Sequence, residues 1–163
     1  MDKPPEDTPR ASAVEMNELV LPSYTNSLGT VFGGQIMAWI DVCAALAAMR
    51  HARTQCVTAS MDALDFIVPI EVGHVVNLRA MVNFVGRTSM EVGVRVEAGH
   101  PVSATRAHAA SAYLTFVALG ADAKVGLHRE VDDHGLQHAE LHRVEADEHV
   151  ELERLPAVRR ALG

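Results

Sequence analysis

The stretch VFGGQIMAWIDVCAALAAM, residues 31–49, decides the fold. Its length suits one helix, and its only polar side chains are Gln35 and Asp41. A helix that is apolar on every side is normally buried, so the segment is expected inside a soluble domain. It also has about the length of a short membrane span, but an aspartate near a bilayer centre disfavours insertion by about 2.5–3.5 kcal/mol. A buried soluble helix, starting at Gly33-Gly34 and ending near His51, is the reading that follows. Asp41 is then an energetic anomaly, because a buried carboxylate needs a compensating partner. Either it is structurally paired or it carries chemistry.

On the C-terminal side of this helix the hydrophobic period changes to two. Val76, Leu78, Ala80, Val82 and Phe84 alternate with Asn77, Arg79 and Asn83, and Met90 to Ala98 alternate with Glu91, Arg95 and Glu97. Both runs read as half-buried strands, joined across Gly86-Arg87 as a hairpin. Residues 56–67 and 105–119 read as further strands, the former with a change of phase near Ala63-Leu64 that suggests a bulge. On the N-terminal side, a short strand is expected at residues 14–21, followed by a turn-rich loop from Pro22 to Gly29. The fold class is therefore α+β, an antiparallel sheet wrapped around a long central helix.

Length and composition set the frame. The 163 residues suffice for one domain with its own core, and 48% apolar with 21% charged residues is an ordinary globular balance. The opening MDKPPEDTPR has no basic region leading into an apolar one, which argues against a secretory signal. With only Cys43 and Cys56, free thiols in a reducing cytoplasm are the simplest expectation. A net charge of −7 argues against general nucleic-acid binding. Lysine occurs only as Lys3 and Lys124, so phosphate contacts would fall mostly to arginine.

Three segments result: residues 1–13 as a flexible lead, 14–120 as the periodic domain, and 121–163 as an acidic, histidine-rich extension, partly helical. In that extension His134, His138 and His142 would line one helix face. A solvated face is the favoured reading over a metal site, since no compact ligand motif is present. Leu141, Val144, Leu152, Leu155 and Val158 form a rough stripe suited to packing on the domain or on a neighbouring subunit.

Asn26, Gly33, Gly34 and Asp41 can be assembled into a site. A glycine pair at a helix start exposes backbone N–H groups where the dipole favours negative charge, the requirement of a developing oxyanion. Asp41 lies a little over two turns further on and could act as general base or nucleophile. Asn26 offers a donor and an acceptor, suited to orienting a water or a carbonyl. Each element also has a structural alternative: turn chemistry for Asn26, close packing for the glycines, and a satisfied core carboxylate for Asp41.

Four motifs in order, TNSLGTVFGGQIMAWIDVCAALAA, VTASMDALDFIVPIEVGHVV, VGRTSMEVGVRV and AYLTFVAL, resemble the hot-dog fold acyl-CoA thioesterases, specifically the cytosolic acyl-CoA hydrolase branch, over about residues 14–120. Phe32 separates the chain from the phenylacetyl-type branch, where histidine precedes the glycine pair. The resemblance implies hydrolysis of fatty acyl-CoA to fatty acid and CoA, with Asn26 and Asp41 as the catalytic pair contributed by different subunits. It implies a homodimer as the minimal unit, assembled as a trimer of dimers. Thr58, Ala59, Ser60, Arg87, Thr88 and Ser89 match positions lining the coenzyme A site, and Arg87 suits a phosphate. No cofactor and no metal are implied, coenzyme A being part of the substrate. Two alternatives remain: a non-catalytic acyl-CoA sensor, and a structural or metal-binding role centred on the histidine-rich extension.

Overall fold

A computed structural model describes residues 9–86, 89–103 and 105–119 of the chain. Arg87, Thr88 and the whole histidine-rich extension, with its three aligned histidines and apolar stripe, lie outside these residues. The elements are β1 (Val14–Leu19), α1 (Gly33–Ala52), β2 (Cys56–Phe66), β3 (Val75–Val85), β4 (Ser89–Gly99) and β5 (Ala107–Ala118), with short 3-10 turns at Pro9–Ser12 and Pro22–Tyr24. All five strands form one antiparallel sheet in the order β1-β3-β4-β5-β2. The expected α+β architecture is the observed one. The helix and the alternating strands end within a residue or two of their expected limits.

Alternation explains the core. Val76, Leu78, Ala80 and Val82 of β3 and Met90, Val92, Val94 and Val96 of β4 are all buried, as are Ala110, Ala112, Leu114 and Phe116 of β5. These residues share the sheet face on which α1 lies. Against them the helix buries Ile36, Trp39, Ile40, Cys43, Ala44, Ala47 and Ala48. The small alanines let the helix axis approach the sheet, and each large side chain so buried contributes roughly 1.5–3 kcal/mol. The opposite face carries polar residues such as Arg79, Arg95 and Glu97, the usual division of an antiparallel sheet.

The helix stops where Arg53 takes the left-handed conformation (φ 54) and its N–H bonds the Met49 carbonyl at 2.8 Å. Among the described residues no helix is long and apolar enough to cross a membrane.

Two expectations need correction. Among the described residues the helix is not buried on all sides: Phe32, just before it, is 54% exposed, and Val42 and Leu46 along it are 52% and 45% exposed. One sheet face can cover only one side of a helix, so a second apolar stripe stays open. The single phase change expected in β2 near Ala63-Leu64 is found just before Ala63, but a second one accompanies it. Register shifts fall between Thr58 and Ser60 and between Met61 and Ala63, so Ala59 and Asp62 are the extra residues.

Candidate active site

Asp41 lies at the border between the buried face of α1 and its open stripe, and is half-buried rather than enclosed. Its partner is Thr58 of β2, whose hydroxyl donates to the carboxylate Oδ1 at 2.6 Å. That is the length of a charge-assisted bond. The carboxylate is thus oriented while keeping further acceptor capacity.

The start of α1 is unusually bare. The N-cap position is Phe32, which makes no side-chain capping bond, and the first turn holds no acidic residue. The first helical bonds run from the Gln35 and Ile36 amides to the Phe32 carbonyl, while the amides of Gly33 and Gly34 have no backbone acceptor among the described residues. The two glycines differ in surroundings. A Cβ on Gly33 would meet the Phe66 ring at 3.4 Å, whereas one on Gly34 would meet open space. The result is a pair of free N–H groups at the positive end of a long helix.

Asn26 sits in the loop that leads into this helix start. Its Oδ1 accepts from the Leu28 amide at 2.9 Å and the Thr30 amide at 3.3 Å, and its Nδ2 donates to the Thr30 hydroxyl at 3.0 Å. Backbone amides can only donate, so they fix which end of the carboxamide is oxygen. One Nδ2 hydrogen is left over. The loop itself is closed by Asn26 N–H to Thr30 carbonyl and Phe32 N–H to Tyr24 carbonyl bonds at 2.9 and 3.0 Å. An edge-on contact between Tyr24 and Trp39 (5.3 Å) ties it to the helix.

Two groupings therefore emerge within one chain. Asn26 belongs with Gly33 and Gly34; Asp41 belongs with Thr58. Along the helix, Gly33 and Asp41 are separated by about 12 Å at 1.5 Å per residue.

The other residues implied for coenzyme A are spread over the sheet. Ala59 is the first bulge residue of β2. Ser60 faces away from the helix, its hydroxyl donating to Asp62 Oδ1 at 2.6 Å. Ser89 opens β4 opposite Val117, in the same cross-strand row as Val57, and its carbonyl accepts the Gly86 amide at 2.7 Å. Of the described members of this group, Thr58 alone hydrogen-bonds the Asp41 carboxylate.

Asp62 is the residue that reading the sequence overlooked. It accepts from Ser60 and, at 2.7 Å, from the Thr115 hydroxyl on β5. These two bonds, that from Ser60 foremost, hold its carboxyl below the usual carboxylate range. Its signal was Ser60-x-Asp62 on one strand and a hydroxyl on another, and only the register joins them.

Among the described residues no group of three or more His, Cys, Asp or Glu could hold a metal. The two thiols are unpaired, and burial pushes Cys43 up to about 11.

Residues 28–105 match the family described as the thioesterase superfamily. An uncharacterized acyl-CoA thioester hydrolase of Bacillus subtilis is 42% identical over 124 residues, 76% of this chain and 72% of that protein. Mouse acyl-coenzyme A thioesterase 11 is 47% identical over 105 residues, 64% of this chain but only 18% of its own length. Among solved structures, an acyl-CoA hydrolase from Staphylococcus aureus in complex with butyryl-coenzyme A and coenzyme A is 42% identical, with a TM-score of 0.71 over 74% of this chain and 73% of that one. Variants of that enzyme have been solved with alanine at an aspartate, a threonine or an asparagine. The three positions have the same sequence spacings as Asp41, Thr58 and Asn26. A hexameric acyl-CoA thioesterase is also 42% identical, with a TM-score of 0.71 over 74% of this chain and 77% of its own. The chain thus belongs to the thioesterase superfamily and has its hot-dog fold.

Proposed function

We propose that this chain hydrolyses the thioester of fatty acyl-CoA, giving the free acid and CoA, in sites shared between two subunits. The observation that carries the reading is the oriented Asp41–Thr58 pair in the same chain as an uncapped, glycine-rich helix start. Eight residues of helix place these two features too far apart for one thioester carbon to engage both, since reacting groups must approach to about 3–3.5 Å. A second copy resolves the mismatch by bringing its helix start to the first copy's Asp41.

In this reading Gly33 and Gly34 N–H groups polarise the thioester carbonyl as its oxygen gains charge. The left-over Nδ2 hydrogen of Asn26, in the same loop, adds a third donor to that oxygen; the carboxamide oxygen is already engaged by the backbone. Asp41 of the other subunit takes the proton of the attacking water, or attacks the carbonyl itself, and Thr58 fixes its orientation. The tetrahedral intermediate then expels the CoA thiolate; by the water route Asp41 returns its proton to the departing sulfur, and by the direct route water hydrolyses the acyl–Asp41 anhydride that is left. Ala59, Ser60, Arg87, Thr88 and Ser89 are assigned to the CoA moiety, with Arg87 on a phosphate. No cofactor takes part.

Assembly follows from the open surfaces. β2 is an edge of the sheet, and its Phe66, with Val42 and Leu46 on the helix, leaves apolar surface that a second copy would cover. A homodimer, assembled as a trimer of dimers, is the proposed form; the hexameric relative supports it. A cytoplasmic location is part of the reading and fits the two free thiols.

The test is thiol release from an acyl-CoA. Asp41→Asn should lower turnover by about 10²–10⁴-fold with folding intact, the range for a general base, and Asn26→Ala should also be impaired. Mixing these two inactive proteins should restore part of the activity, because each heterodimer keeps one complete site. Turnover at the normal rate in Asp41→Asn would overturn the mechanism, and it would leave a binding protein as the remaining reading. Verified heterodimers without recovery would overturn the sharing.

A further inference from the structure

The doubly bulged stretch of β2 has an unusual pattern on its helix side. Thr58, Met61 and Leu64 all face that way, opposite Phe116, Leu114 and Ala112 of β5. A regular strand presents a given face every second residue. Here the face recurs every third residue, because Ala59 and Asp62 are each inserted between paired neighbours. With Ser60 held outward opposite Thr115 and no bulge at Ala59, Thr58, two residues earlier, would face outward as well, and its hydroxyl would leave Asp41.

Bulges in an edge strand lack a second neighbour to hold them. One side chain bridges this stretch to the rest of the sheet. Asp62 accepts a 2.6 Å bond from Ser60, which lies between the two bulges, and a 2.7 Å bond from Thr115, the β5 residue paired with Ser60. Both bonds are in the range of hydroxyl-to-carboxylate contacts, stronger than neutral ones. The carboxylate sits on the sheet face opposite Asp41, so it has no direct access to the thioester.

We propose that Asp62 is a positioning residue: its carboxylate, bound by Ser60 and Thr115, locks the double bulge that delivers Thr58 to Asp41. The proposal rests on the reading of Asp41 and Thr58 given above. It makes part of the catalytic geometry depend on a carboxylate behind the sheet.

Thiol-release kinetics on Thr58→Ala, Asp62→Ala, the double variant, Thr115→Val and Thr115→Ser test it. Asp62→Ala and Thr115→Val should each lower kcat by about three- to tenfold, no more than loss of the Thr58 hydroxyl itself, with KM changed less than about twofold. Thr115→Ser, which keeps the hydroxyl, should stay near the starting rate. In the Thr58→Ala background, Asp62→Ala should cost nothing further, since residues acting through one another are non-additive. Additive losses in kcat, or a raised KM at unchanged kcat, would overturn the positioning role while the catalytic reading stands. Normal turnover by Thr58→Ala would bring down that reading first and this proposal with it.

Discussion

β4 and β2 are both eleven residues long, yet they do opposite work. β4 is paired on both sides, and Met90, Val92, Val94, Val96 and Ala98 go inward without interruption. β2 is paired on one side, its register shifts twice, and most of its residues are exposed. Regular alternation builds the core, and the irregular edge places the hydroxyl that hydrogen-bonds Asp41. A strand with two neighbours has no freedom to aim a hydroxyl at a chosen atom. An edge strand does, provided something else fixes its shape.

The comparison can be broken most sharply by a truncation in the core. Met90→Ala should lower unfolding stability by about 2–5 kcal/mol, the usual result for a buried methionine, as read by denaturant titration. The exposed Val57→Ser should change it by less than about 0.5 kcal/mol. A large loss at Val57 would erase the division between the strands within one chain.

A smaller effect tests the edge. Thr58→Val keeps the branched shape but removes the hydroxyl, and should reduce kcat by about tenfold, or about 1.4 kcal/mol of barrier, at unchanged stability. Thr58→Ser should recover most of that loss. Equal activity in both variants would show that β2 contributes shape alone.

The smallest effect concerns the outer face of β4. Burial works against ionisation of Glu97. The Arg95 hydrogen bond and the charges of Arg79, Arg95 and Arg106 outweigh it and hold the carboxyl below its usual range. Arg79 and Arg95 contact it at 2.8 and 3.0 Å. On acidification the unfolded chain takes up this proton first. The stabilisation is therefore full above the ordinary glutamate range and lost as pH falls through the lowered value. Melting curves across that range should show Glu97→Gln with a flatter acid limb, the difference being under about 1 kcal/mol for so accessible a pair.

The two strands also differ in how far the sequence reveals them. Strict alternation through Val76–Val82 and Met90–Ala98 gives both face and limits, because a one-residue slip would bury Arg79 or Glu97 on the wrong side; it fails at Phe84, expected inward, which a bulge at Asn83 turns outward. In β2 the recurrence of Thr58, Met61 and Leu64 every third residue disguises the period, so the bulges could be suspected but not placed. The all-apolar helix misleads for another reason. Composition does not say whether a second covering surface is present, and among the described residues Val42 and Leu46 stay exposed. Asn26, the glycine pair and Asp41 could be singled out from residue type and spacing. Thr58 reached the list through resemblance alone, and its bond to Asp41 depends on a long-range approach of strand to helix. Asp62 depends on a cross-strand pairing that no local pattern encodes.

The bare start of α1 has a consequence for engineering. Placing aspartate at Phe32 would give the helix the cap it lacks, worth about 0.5–2 kcal/mol. That carboxylate would satisfy the amides proposed above to bind the thioester oxygen, and under that reading would act as an inhibitor tethered within the chain. Selection for a firmer protein at this position is thus selection for a slower one, and thermostable variants of this fold should be sought elsewhere in the sequence.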